Sequence, residues 1–241
     1  MIIYAHRGAS KHAPENTIPA FDLAYHHDAD GIETDVQLTK DGVPVLIHDE
    51  KLQRTTNGNG FVKDYTYAEL TQLDAGSWKS PQFADTVIPT LEDLLRWNQD
   101  KQLKLNIELK NNIFPYPGLE ETVFQLLQKY NMVNQTVIST FNQESIVKLK
   151  QWSTELNYAF LTSKKDKNLI PFAESIKAEG IHIQYRLLTN RLVEQANQHD
   201  LYVAVYTVNL PLSIKRAIRM NCHAIFTDIP KLAVDLRKNT L

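Results

Sequence analysis

The sequence predicts an α/β protein, a (β/α)8 TIM barrel carrying a small inserted subdomain after its second barrel strand, and three observations predict it. Short β-rich runs alternate with helix-length amphipathic stretches, the runs number eight in 241 residues, and the alternation is interrupted once, by an irregular segment at 39–89. Parallel neighbours need a crossover, which the helical stretches supply, and eight such units in about 250 residues close on themselves. The competing doubly wound sheet would carry a glycine-rich dinucleotide turn after the first strand, with three glycines where HRGAS has one. The whole chain, 1–241, reads as a single barrel domain, with residues 50–89 as an inserted cap.

Taken in order, the strand IIYA (2–5) leads through a Gly-punctuated turn to a helical pattern at 18–27. GIETDVQL (31–38) is the second strand, and Asp41-Gly42 behind it reads as a β-turn into a short antiparallel run. The rest of the interruption is rich in Gly, Thr and aromatics, and Phe61, Tyr65, Tyr67, Trp78 and Phe83 argue for a packed cap over one end of the barrel. Alternation then resumes with helix 91–100, LKLNIELK (103–110), helix 118–131, QTVIST (135–140), helix 143–152 and NYAFLT (157–162). Helix 169–178, GIHIQ (180–184), helix 190–199, YVAVYTV (202–208), helix 211–220, HAIFTD (223–228) and helix 230–238 complete it. Four helices open on cap signatures: Thr90 with Asp93, Asn142, Asn209 before Pro211, and Asp228 before Pro230.

Composition narrows the partners. Hydrophobic residues make up 43% and charged residues 22%, ordinary for a globular domain with a sizeable core. The net charge of -2 provides no basic field for nucleic acid or anionic lipid, so small molecules are the expected ligands. Cys222 is the one cysteine and is expected to be buried and free. No secretory leader pattern and no long apolar run occurs, which predicts a soluble, cytoplasmic protein without stable membrane association. Oligomeric state is left open.

The chemistry sits on the strands. Glu33 and Asp35 lie two apart and so share one face of their strand, while Ile32, Thr34 and Val36 share the other. In LKLNIELK, Leu105, Ile107 and Leu109 face the helices, which turns Asn106, Glu108 and Lys110 into a barrel interior normally filled by branched apolar side chains. Three carboxylates without a nearby cysteine describe a cage for one hard divalent cation, Mg2+ or Ca2+. His6 ends the first strand and His48 ends PVLIH, each where loops gather. With Arg7 and Lys110 they form a set suited to phosphoryl chemistry: cations for a phosphate and two imidazoles for proton transfer near neutrality. The other histidines, at 12, 26, 27, 182, 199 and 223, have no such company.

The blocks HRGASKHAPENT, IETDVQLTKDGVPVLIHD, RTTNGNG, LDAGSW, IPTLED, IELK, YTVN and TDIP occur in this order over almost the whole chain. On them the sequence resembles the glycerophosphodiester phosphodiesterase family. The resemblance implies a (β/α)8 barrel and metal-dependent hydrolysis of glycerophosphodiesters, for example glycerophosphocholine or glycerophosphoethanolamine, to sn-glycerol 3-phosphate and an alcohol. It implies Glu33, Asp35 and Glu108 as metal ligands, His6 as general base, His48 as general acid, and Arg7 and Lys110 on the phosphate. Glu15 and Asn16 take supporting roles in fixing the first loop and helix start. Tyr206 stands where the family usually has Trp, which bears on how the alcohol packs. The nucleophile is either water or a neighbouring substrate hydroxyl. A lysophospholipase D would use the same groups with an apolar entrance, and a silent phosphodiester-binding barrel would show broken catalytic positions.

Overall fold

The computed structural model describes residues 1–239; the last two residues of the expected 1–241 domain lie outside the described residues. Strand β1 (Ile2–His6) leads into helix α1 (Ile18–His26) and then β2 (Gly31–Leu38), which turns at Gly42 into the antiparallel β3 (Pro44–Leu46). After the inserted segment, which holds the short α2 (Tyr67–Leu70), come α3 (Leu91–Asn98), β4 (Lys104–Leu109), α4 (Leu119–Lys129), β5 (Thr136–Thr140), α5 (Gln143–Lys150) and β6 (Asn157–Thr162). The chain finishes with α6 (Leu169–Ser175), β7 (Gly180–Gln184), α7 (Asn190–Gln198), β8 (Tyr202–Tyr206), α8 (Pro211–Arg219), β9 (Ala224–Thr227) and α9 (Pro230–Lys238). Parallel pairing runs from β2 through β4 to β9, and β1 closes the cylinder by pairing with both β9 and β2. The eight parallel strands form a TIM barrel, as the alternation predicts.

Side-chain chemistry sorts the two faces of each strand. Ile3, Ile32, Ile107, Ile138, Ile181, Val203 and Ile225 pack outward against the helices in one continuous buried cluster. Inside the barrel, Tyr4, Ala204, Ala224 and Phe226 form a separate plug, with Tyr4 stacked on Phe226 at 5.3 Å between centroids. Small and large residues interlock there. A Cβ on Gly31 would lie 2.7 Å from the Tyr4 ring, and one on Gly180 would lie 2.3 Å from the Tyr202 ring, so these glycines make room for their neighbours' aromatics. The plug fills the lower barrel and leaves the upper end, where the strands terminate, for polar groups.

The inserted segment has its own small core of Val45, Ile47, Leu52, Val62, Leu70, Ala75 and Ile88. Capping boxes at Thr66–Glu69 and Thr90–Asp93 and the Asn142 cap on Glu144 N set helix starts. Two expected caps are corrected. The residues at the starts of α8 and α9 are Leu210 and Ile229, without side-chain caps, because each helix already has a proline in its first turn that needs no hydrogen-bond acceptor. Asn209 and Asp228 turn instead to each other and to the barrel mouth.

Candidate active site

The upper ends of the strands surround an open cavity of about 460 Å³. His6, Arg7, Glu33, His48, Glu108, Lys110 and Tyr206 line it together, although they come from five separate parts of the chain. Asp35 lies beneath them at 1% exposure. Glu15 and Asn16 stand behind Arg7 rather than in the cavity.

The first turn explains how these groups are presented. Arg7 and Gly8 both have positive φ, 57° and 81°, and a Cβ on Gly8 would lie 2.7 Å from Ala20. Only glycine fits there, and the sharp departure leaves His6 and Arg7 at the mouth. The Arg7 amide donates to Glu33 Oε2 (2.9 Å), tying β1's end to β2's carboxylate. Asn16, also left-handed at φ 57°, donates from Nδ2 to Asp35 Oδ2 (2.9 Å) and accepts from the Thr34 hydroxyl (2.7 Å). It fixes the loop and a carboxylate; the start of α1 belongs to Thr17, whose hydroxyl donates to Pro14 O (2.6 Å).

Glu33, Asp35 and Glu108 each bring an oxygen within 4.8 Å of the others. Burial, and then the Asp35 charge, push both glutamates above the ordinary carboxylate range. Burial acts on Asp35 in the same direction, but Arg7, His48 and Lys110 outweigh it and hold this carboxyl low. Asp35 Oδ1 is buried without a hydrogen-bond partner. Three oxygen donors, one of them orphaned, are a set that a hard divalent cation would satisfy, and the residues fit such an ion. Lys110 Nζ donates to Glu108 Oε1 (2.9 Å) and lies 3.8 Å from Asp35 Oδ1; Arg7 Nε lies 3.2 Å from Asp35 Oδ2. Both cations thus border the carboxylates and the cavity at once.

Each of the two histidines is held by an aspartate. His6 Nδ1 is 2.6 Å from Asp228 Oδ1, and His48 Nδ1 is 2.6 Å from Asp49 Oδ1. A carboxylate on Nδ1 selects the tautomer with its proton there and leaves Nε2 for proton exchange. Asp228 is itself fixed by the Ser10 hydroxyl (3.1 Å) and by Asn209 Nδ2. The sequence reading missed Asp49, Asp228 and Asn209 as parts of the site. The signal was present in the aspartate directly after His48 and in the TDIP block, but Asp228 before a proline also fits a helix cap.

Arg54, from the RTTNGNG block, joins the parts. Its Nε donates to Asp49 Oδ2 (2.6 Å), its Nη2 to Asp49 Oδ1 (2.9 Å), and its Nη1 to Glu15 Oε2 (2.7 Å). Glu15 in turn accepts from Arg7 Nη1 (2.8 Å). No residue of 50–89 lines the cavity, and Phe61 packs edge-on against Phe114. The inserted segment reaches the site through Arg54 and through Lys79, whose Nζ donates to Ser10 O (2.6 Å).

This network makes a pH-dependent prediction. The Arg54 hydrogen bonds pull Asp49 down to about 2 against partial burial, and for Glu15 they combine with Arg7 to outweigh the upward push of burial. Both folded values lie below those of the unfolded chain, so the stabilisation is present above the unfolded carboxylate range, about 4, and is lost as pH falls toward 2. Arg54→Met should lower the urea midpoint at pH 7, and its gap to wild type should close in acid. A gap that stays constant or widens in acid would contradict this account.

Comparison with known proteins places these features in a family. The model of the glycerophosphoryl diester phosphodiesterase family matches residues 6–232. A glycerophosphodiester phosphodiesterase of Caldanaerobacter subterraneus subsp. tengcongensis is 39% identical, covering 98% of this chain and 97% of its own. One from Bacillus altitudinis is 38% identical, covering 98% of each. Among solved structures, an Oleispira antarctica phosphodiesterase in complex with the product sn-glycerol-3-phosphate superposes with a TM-score of 0.91 at 30% identity, over 99% of this chain and 97% of that one.

Proposed function

This chain belongs to the glycerophosphoryl diester phosphodiesterase family and is a phosphoric diester hydrolase of glycerophosphodiesters, and we propose how its residues divide that work. The observation that carries the proposal is the pairing of two aspartate-held imidazoles, His6 and His48, around a carboxylate cluster bordered by Arg7 and Lys110. Glu33, Asp35 and Glu108 would hold one divalent cation, Mg2+ or Ca2+, which when bound supplies positive charge to the phosphate oxygens. Arg7 and Lys110 bind those oxygens from the cavity wall and stabilise the charge that develops there. His6 Nε2 takes the proton of the nucleophile, with Asp228 stabilising the resulting imidazolium. His48, protonated and held by Asp49, gives its Nε2 proton to the departing alkoxide. Residues 50–89 act as an inserted cap beside the mouth, holding the acid through Arg54.

The proposed substrates are glycerophosphocholine and glycerophosphoethanolamine, cleaved on the far side of phosphorus from glycerol. The chemistry supports this product, and the Oleispira antarctica protein was crystallised with it. No helix among the described residues is long and apolar enough to cross a membrane. A cytoplasmic setting is part of the proposal. The purified protein with Mg2+ or Ca2+ should convert glycerophosphocholine to sn-glycerol 3-phosphate and choline, scored by a coupled dehydrogenase assay, and should turn over lysophosphatidylcholine far more slowly. Release of phosphocholine, or a preference for the lysophospholipid, would reject the assignment.

A further inference from the structure

His48, the acid of the proposed reaction, has no strand beneath it. Antiparallel β3 ends at Leu46, the Ile47 amide makes one more bond, to Asp35 O (3.1 Å), and residues 48–50 form a bend. A bend leaves backbone carbonyls that must find donors outside the sheet. Here the donor is a single side chain. Gln37 Nε2 lies 3.0 Å from Ile47 O, 3.1 Å from His48 O and 2.9 Å from Asp49 O, so its N–H groups converge on three successive carbonyls.

Gln37 continues the same-face series of Glu33 and Asp35 along β2, yet it is fully buried and does not line the cavity. It therefore acts on the backbone of its neighbours and on no ligand. Carbonyls only accept, so the amide must turn its nitrogen toward the bend and its oxygen away from it. That oxygen, Gln37 Oε1, accepts from the Tyr116 hydroxyl (2.9 Å). Tyr116 stands in the loop between β4 and α4 and packs in the main hydrophobic core, so it holds the amide in the one orientation that serves the bend.

We propose that Gln37 and Tyr116 are positioning residues for His48: they fix the bend that aims its imidazole and tie that bend to the loop following Glu108 and Lys110. The proposal deepens the functional reading above and rests on it for the task of His48. It also completes the support of Asp49, whose carboxylate is gripped by Arg54 and whose carbonyl is gripped by Gln37. A neutral amide suits this place, because it donates to three carbonyls without adding a charge beside Asp35.

Gln37→Met keeps the side-chain length and removes both N–H groups. Tyr116→Phe removes only the hydroxyl and tests the same pair if the first variant folds poorly. On glycerophosphocholine, Gln37→Met should lose about 10–100-fold in kcat with KM within about twofold, the effect of a catalytic group slightly misplaced. On a p-nitrophenyl phosphodiester, whose phenolate leaves without a proton, the loss should stay within about threefold. Tyr116→Phe should show the same split at smaller size, and in a His48→Ala background neither change should cost anything further. The crystal structure of Gln37→Met should show residues 48–50 displaced and Glu33, Asp35 and Glu108 in place. Equal losses on the two substrates, or a full loss added to that of His48→Ala, would overturn the positioning role and leave a structural one. A wild type that hydrolyses no glycerophosphodiester, with the bend still displaced in Gln37→Met, would instead sink the functional reading and leave the anchoring of the bend standing.

Discussion

Replacing His6 by Ala should lower kcat by roughly 10²–10⁴-fold on glycerophosphocholine and on a p-nitrophenyl phosphodiester alike, whereas His48→Ala should lose as much on the first substrate and far less on the second. The two histidines look alike in the structure, each with Nδ1 2.6 Å from an aspartate oxygen, and only their tasks differ. A base acting on the nucleophile is required whatever leaves. An acid is required in proportion to the basicity of the departing oxygen, and p-nitrophenolate departs without a proton while choline alkoxide does not. Metal content must match wild type in both variants, because a lost ion would depress both substrates equally. If the good leaving group rescues His6→Ala instead, the two roles are exchanged. If it rescues neither, another group is the acid and His48 positions the phosphate.

The second large effect concerns the carboxylates. Chelation with EDTA should abolish turnover, and Mg2+ or Ca2+ should restore it, because Glu33, Asp35 and Glu108 bring oxygens within 4.8 Å of one another, a donor set that a hard divalent cation would satisfy. Asp35→Asn should lose activity by about 10³-fold or more, since Asp35 meets Arg7, Lys110 and the other two carboxylates at once. A second readout is independent of turnover. An ion that binds only the folded state raises the melting temperature with the logarithm of its free concentration above Kd, and that rise should vanish in Asp35→Asn. Full activity in protein shown by elemental analysis to be metal-free would refute the assignment.

Much of the site was legible because a strand's side chains alternate. Glu33 with Asp35, and Asn106 with Glu108 and Lys110, occupy same-face positions that only the barrel interior could receive once their apolar partners were assigned to the helices. His6 does end its strand, β1, whereas His48 lies two residues beyond the end of β3, in the bend that follows. The inserted segment was recognisable by its irregular composition, but its position was not. Its aromatic Phe61 meets Phe114, and the segment touches the site through Arg54 and Lys79.

By itself, then, the sequence determined the strand and helix pattern, the inward polar stripe and the gathering of His6, Arg7, Glu33, His48, Glu108 and Lys110 at one end of the barrel, since all of these follow from local periodicity and residue type. Which partner each side chain takes was decided only by closure of the barrel. Asp228 lies 222 positions from His6 and reaches it because β9 and β1 are neighbours in the closed cylinder. His182 had no charged company in the chain, yet closure brings it to the same cavity as Asn106 and Tyr206. Local pattern says which face a residue takes. The distance across the barrel, set by strand number and packing, decides what it meets there.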